Sequence, residues 1–115
     1  MDQLFNVVFL EEAFRFLQSL DKKHAEKILY NIRKSQTSKD PELFKKLNED
    51  IWEFQTLYHG HQYRLLAFWD KMAASDTIVV SWNGFVKKRS RVPENEIERA
   101  KQLRARYFAE KQKDR

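Results

Sequence analysis

At Ile51 the apolar residues of this chain change their spacing, and that change limits the fold more than any other feature of the sequence. Before it they recur every three or four positions. Ala13, Phe14, Leu17 and Leu20 follow Glu11 and Glu12 in one such run. Ala25, Ile28, Leu29 and Ile32 follow Asp21, a good N-cap, in a second. Two amphipathic helices in succession make a hairpin whose apolar stripes need a surface to cover. The polar stretch from Ser35 to Asp40, then Pro41, ends it. After Ile51 the period is two: Trp52, Phe54 and the Leu57–Tyr58 pair alternate with polar residues, and so do Tyr63, Leu65 and Ala67. His59-Gly60-His61 between them reads as a turn, so residues 51–69 predict a β-hairpin.

The flanks complete the pattern. Phe5 to Leu10 is β-branched and aromatic and predicts a short strand. Thr77 to Phe85, with Ile78, Val79, Val80 and Trp82, predicts another. Pro93 suits the first turn of a helix, and Glu94, Glu96 and Glu98 favour its positive end. Ile97, Ala100, Leu103 and Tyr107 give that helix a stripe to bury, while the charged tail from Glu110 is expected to fray. The expected fold is α+β: a small antiparallel-rich sheet with an N-terminal helical hairpin, a C-terminal helix, and the helices grouped on one face. No repeat or linker divides it, so residues 1–115 read as a single domain.

Composition excludes several classes of function. At 42% hydrophobic residues, nine of them Phe, the chain is not disordered. It has no cysteine, which removes disulfides, thiolate metal sites and cysteine nucleophiles, and which fits a reducing cytoplasm. No apolar run approaches the roughly 20 residues of a membrane helix, and no basic-then-apolar leader is visible, so a cytoplasmic protein without a membrane partner is expected. Two isolated glycines cannot form a phosphate-binding loop. His59 and His61 lack a carboxylate companion for a zinc site, His24 reads as structural, and neither a metal nor another cofactor is expected. Ser81 has no surroundings that would make it a nucleophile.

Net charge is +5, and its distribution says more than its size. Residues 84–115 hold eleven Lys/Arg against five Asp/Glu, whereas the preceding segments are close to balance. A polyanionic partner is one reading and a solvated C-terminal helix is the other.

Three clusters join basic residues to aromatic ones. They are Phe44-Lys45-Lys46-Leu47, Gln62-Tyr63-Arg64-Leu65-Leu66, and Trp82-Asn83-Gly84-Phe85-Val86-Lys87-Lys88-Arg89-Ser90-Arg91. Arg64 stands in an apolar strand, where a charge is costly unless it reaches solvent or a partner. It either opens onto a functional surface, reaches the sheet edge, or pairs with Asp70 or Glu53. RNA can be cut without metal when its own 2′-OH attacks the adjacent phosphate. The protein then stabilises a doubly charged phosphorane, holds the attack in line and protonates the leaving 5′-oxygen. Lys and Arg supply that charge, clustered Lys groups can exchange protons, and aromatic rings can stack a splayed base. The same residues also suit simple binding.

On these residues the chain resembles the RelE/HigB toxin superfamily, and in particular its phage-derived HigB-like branch. The resemblance covers about Phe5 to Tyr107. It rests on Phe44-Lys45-Lys46-Leu47 with Ile51-Trp52-Glu53-Phe54, on Tyr63-Arg64-Leu65-Leu66-Ala67-Phe68, and on Gly84-Phe85-Val86-Lys87-Lys88 with Pro93-Glu94-Asn95-Glu96-Ile97-Glu98-Arg99-Ala100. It implies a microbial RNase-like fold and a type II toxin that cleaves mRNA on the ribosome. It also implies a cognate antitoxin, often of helix-turn-helix type, through which DNA is contacted only indirectly. Carried over by position, the catalytic set is Lys45, Lys46, Arg64, Lys87 and Lys88, with Arg64 as the phosphate clamp. Phe85, Arg89, Arg91, His59 and His61 are the RNA-binding candidates, Phe85 being equally suited to the core.

Two positions depart from the branch. Where it reads Trp-Glu-Leu-Arg this chain has Trp52-Glu53-Phe54-Gln55, and the C-terminal Tyr of some relatives has no counterpart, since Tyr107 fits the core. Two further readings stand beside the nuclease. One is a gyrase-inhibiting binder of the ParE type, and the other an inactive relative that still binds its antitoxin.

Overall fold

The hairpin predicted over residues 51–69 forms the centre of the sheet. A computed structural model describes residues 3–86 and 92–113, with residues 82–86 described by their backbone alone. Strand β1 (Asn6–Phe9) leads into helices α1 (Glu11–Ser19) and α2 (Lys22–Thr37), then β2 (Phe44–Lys46), β3 (Trp52–Tyr58), β4 (His61–Asp70), β5 (Thr77–Val86) and α3 (Glu94–Lys113). His59 and Gly60 turn the hairpin with φ of 48° and 77°. Positive φ at both central residues gives a tight turn whose twist matches the flanking strands. The turn fixes the register, so Tyr58 faces His61 and Gln55 faces Arg64.

The sheet order is β1-β5-β4-β3-β2. Strand β1 runs parallel to β5 and every other pair is antiparallel, so the sheet is mixed. Alternation along β4 sorts its side chains between two cores. Tyr63, Leu65 and Ala67 join Ala13, Leu17, Ile28 and Ile32 under the helical hairpin. Leu66 and Phe68 join Val79, Ile97 and Ala100 under α3. Both faces of β4 are therefore covered, which is why Tyr63 to Phe68 is buried without interruption. Each large apolar side chain buried this way contributes about 1.5–3 kcal/mol relative to exposure.

Four sequence expectations are corrected. The helices are not grouped on one face, because α3 lies opposite α1 and α2. Phe44–Lys46, over which no strand was expected, is the edge strand β2. Phe14 is 50% exposed, and Phe16 packs against the core in its place. Helix α3 continues past Glu110 to Lys113, because Lys111 is tied to Asp70 on β4. Asp21 does precede α2, but its backbone carbonyl, accepting from the Ala25 N–H at 3.0 Å, caps the helix without a side-chain bond.

Candidate functional site

Arg64 enters the sheet on the face that carries α3, and the hairpin register gives it a partner there. Gln55 lies directly opposite, and Glu53 is the diagonal neighbour on β3. Arg64 Nη1 donates to both carboxylate oxygens of Glu53, each at 2.6 Å. Glu53 is fully buried and the Arg64 side chain is 5% exposed. Of the two partners the sequence allowed, Glu53 is the one taken, and Arg64 Nε is buried without a hydrogen bond among the described residues.

Strand β2 adds Lys45 from the side. It pairs with Glu53 across the strands, and its ammonium stands 3.6 Å from Oε1, with the side chain 45% exposed. The cluster thus holds two cations on one carboxylate, and the cation open to solvent is Lys45. On β5, Phe85 is opposite Arg64 in the ladder, beside two register shifts between Arg64 and Ala67. Such bulges re-aim strands next to sites.

Lys46 goes elsewhere. Alternation along β2 places it opposite Trp52, on the other face from Lys45. It lines a cleft of about 520 Å³ at the end of the sheet with Trp52, Trp69 and Lys71 and, from α3, Arg104. Lys87, Lys88, Arg89 and Arg91 lie outside the described residues. The described chain stops at Val86, opposite Tyr63, and resumes at Val92, which is buried with Ile51 and Leu66.

His59 and His61, read from sequence as lacking a carboxylate companion, lie beside the ring of His24. Its ring centroid is 6.0 Å from that of His59 and 5.4 Å from that of His61. Its Nδ1 lies 2.6 Å from the Tyr63 hydroxyl. Burial and the nearby Asp21 charge push the Tyr63 hydroxyl above its ordinary range. This group sits at the hairpin tip, under the helical hairpin and across the sheet from Arg64. No set of three His, Asp or Glu among the described residues is placed to hold a metal ion.

A second buried carboxylate closes the opposite end. Asp70 accepts from Tyr107 Oη and Lys111 Nζ at 2.5 Å each, and from the Met72 N–H at 2.9 Å. Burial raises the Asp70 carboxyl, but these three donors outweigh it and hold it below the ordinary range. Tyr107 is thereby a strut between α3 and β4, in keeping with its reading as a core residue.

Sequence reasoning named Glu53 only as one alternative partner for Arg64 and passed over Trp69 and His24 as members of a site. A signal for Glu53 was available: a two-residue turn at His59-Gly60 sets Arg64 opposite Gln55, and alternation then puts Glu53 on the face of Arg64. Nothing local marks the other two.

The fold is thus a small α+β protein: a mixed sheet with a helical hairpin on one face, a C-terminal helix on the other, and the Arg64–Glu53 pair reaching Lys45 on the edge strand. A family model described as phage-derived protein Gp49-like (DUF891) matches residues 15–105. The chain belongs to that family, which is part of the RelE/HigB-like toxin superfamily of toxin–antitoxin systems. No match was found among curated proteins.

Proposed function

We propose that the protein is the toxin of a type II toxin–antitoxin pair and cleaves mRNA on the ribosome without a metal. The observation that carries this reading is the pairing of two cations, Lys45 and Arg64, at one carboxylate on a sheet that opens at its β2 edge. Membership of a toxin superfamily whose members are generally endoribonucleases supports it. In the reaction the 2′-oxygen forms a bond to phosphorus, the P–O5′ bond breaks, and a 2′,3′-cyclic phosphate and a 5′-hydroxyl result. The proton leaves O2′ and one is delivered to O5′. Lys45 stabilises the phosphorane charge, and Arg64, pinned by Glu53, orients the phosphate. Lys87, Lys88, Arg89 and Arg91 supply further positive charge, with Phe85, His59 and His61 along the RNA path. The partners are the ribosome with its message and a cognate antitoxin of helix-turn-helix type, with DNA contacted only through the antitoxin complex, in the cytoplasm.

One observation favours a second reading, the inactive antitoxin-binding relative: Arg64 is spent on Glu53 and nearly sealed from solvent. In vitro translation with purified protein, followed by primer extension on the message, separates the two. Codon-positioned cuts that vanish without ribosomes support the nuclease, and intact message with undisturbed translation supports the inactive relative. Because Arg64 also neutralises a buried carboxylate, Lys45→Ala is the cleaner active-site variant.

A further inference from the structure

We propose that the cleft beside Lys46 is a base-binding subsite for single-stranded RNA, taking the nucleotide that flanks the phosphate at Lys45. The proposal rests on the nuclease reading and adds to it a second place where the message is held.

The cleft is built where the β2–β3 turn, the end of β4 and the C-terminal half of α3 meet. At about 520 Å³ it falls within the range of small-molecule sites. Two indoles line it, those of Trp52 and Trp69, both only half-buried. Indole surfaces are what an unstacked base seeks, and they are of no use to a duplex, whose bases are already stacked. Three cations and two carboxylates, Glu49 and Asp50, surround them, leaving a net positive lining. Arg104 is engaged, 3.8 Å from Asp50 and packed over the Phe108 ring. Lys46 and Lys71 are exposed and make no ion pair among the described residues. Exposed ammonium groups without partners beside aromatic walls suit a phosphate backbone with its base turned inward.

The topology links this cleft to the Glu53 cluster. Among the described residues strand β2 is the sheet edge, with no further strand beyond it to block a crossing chain. Lys45 and Lys46 are consecutive, yet they point to opposite faces because a strand alternates. A polyanion passing over this edge meets Lys45 on the Arg64 side and Lys46 on the Trp52 side. The adjacent lysines, read from sequence as one catalytic pair, become a handover between two sites.

The test uses a single-stranded hexadeoxynucleotide containing 4-thiothymidine, which lacks a 2′-OH and cannot be cut. It is irradiated with the whole protein and the cross-linked peptides are mapped by mass spectrometry, alongside equilibrium binding. Cross-links on Trp52 or on Trp69–Met72 are expected. The charge-reversing pair Lys46→Glu with Lys71→Glu, both exposed and checked for folding by circular dichroism, should raise Kd at least tenfold. It should also flatten the salt dependence of log Kd by about 1.4, roughly 0.7 for each cation removed. Cross-links confined to other peptides, wild-type affinity in the double variant, or equal competition by duplex would overturn the proposal. Failure of the nuclease reading shows differently, as uncut message in the translation assay with these cross-links intact.

Discussion

Both carboxylate oxygens of Glu53 accept from one nitrogen of Arg64, Nη1, at 2.6 Å, and the pair is closed off inside the sheet. A buried ion pair of this kind stabilises little in itself, because each charge has lost its water, but breaking it strands the survivor. Glu53→Leu or Arg64→Met alone should destabilise the fold by about 3–5 kcal/mol, while the double change Glu53→Leu/Arg64→Met should recover most of that loss. Urea denaturation of the four proteins measures the coupling. Additive losses in the double variant would mean that the two residues do not depend on one another.

Asp70 sets the acid limit of stability. Although burial raises its carboxyl, the Lys111, Tyr107 and Met72 donors leave it titrating below an ordinary Asp in the folded protein. Its contribution is therefore complete above about pH 3.9, the ordinary value, and is lost as pH falls through the lower folded value. Glu12, whose burial is outweighed by Arg106, acts in the same sense. At the alkaline end the Asp70 hydrogen bond holds Lys111 above its ordinary range, so that half of the contact persists below about pH 10.4 and is lost above it. The melting-temperature gap between wild type and Asp70→Asn should be flat from about pH 5 to 9 and close towards pH 2. A gap that widens in acid would contradict the lowered carboxyl.

What could be read from the sequence follows from the range over which each signal acts. The hairpin, α2 and the start of α3 were legible because their causes lie within a few residues: alternation around His59-Gly60, the stripe Ile28 to Ile32, and Pro93 before three glutamates. The three-residue strand β2 was not, because it exists only through its pairing with β3. The side taken by α3 was equally hidden, since a stripe such as Ile97, Ala100 and Leu103 states that it is buried and not against which face. For the candidate site, residue types were visible but their grouping was not. Lys45 and Lys46 look like one cluster in a linear chain and belong to two faces in a strand. Asp70 and Lys111 meet across 41 residues, and the His24–Tyr63 contact spans 39.

The hairpin tip offers a stabilising change. His59 holds φ 48°, which costs an ordinary side chain more than Asn, while Gly60 holds φ 77° in open space. His59→Asn should raise stability by up to about 1 kcal/mol, and Gly60→Ala should lower it by about 1–2 kcal/mol through strain alone. Thermal unfolding reads both. If Gly60→Ala melts with wild type, the tip is not held in this turn.

The division between Lys45 and Lys46 predicts a kinetic signature. Lys45 pairs with Glu53; if this cluster is the proposed cleavage site, charge would develop beside it only in the transition state, and Lys45→Ala should lower kcat by about two orders of magnitude with KM nearly unchanged. Lys46 lines the Trp52 cleft, and under the base-subsite proposal its contact with RNA would be equal in ground and transition states. Lys46→Ala should therefore raise KM several-fold and spare kcat. Both side chains are exposed, so neither change should disturb folding. Single-turnover cleavage of a programmed ribosome, run across message concentrations, gives the two constants separately. Equal losses of kcat in the two variants would return both lysines to a single catalytic site.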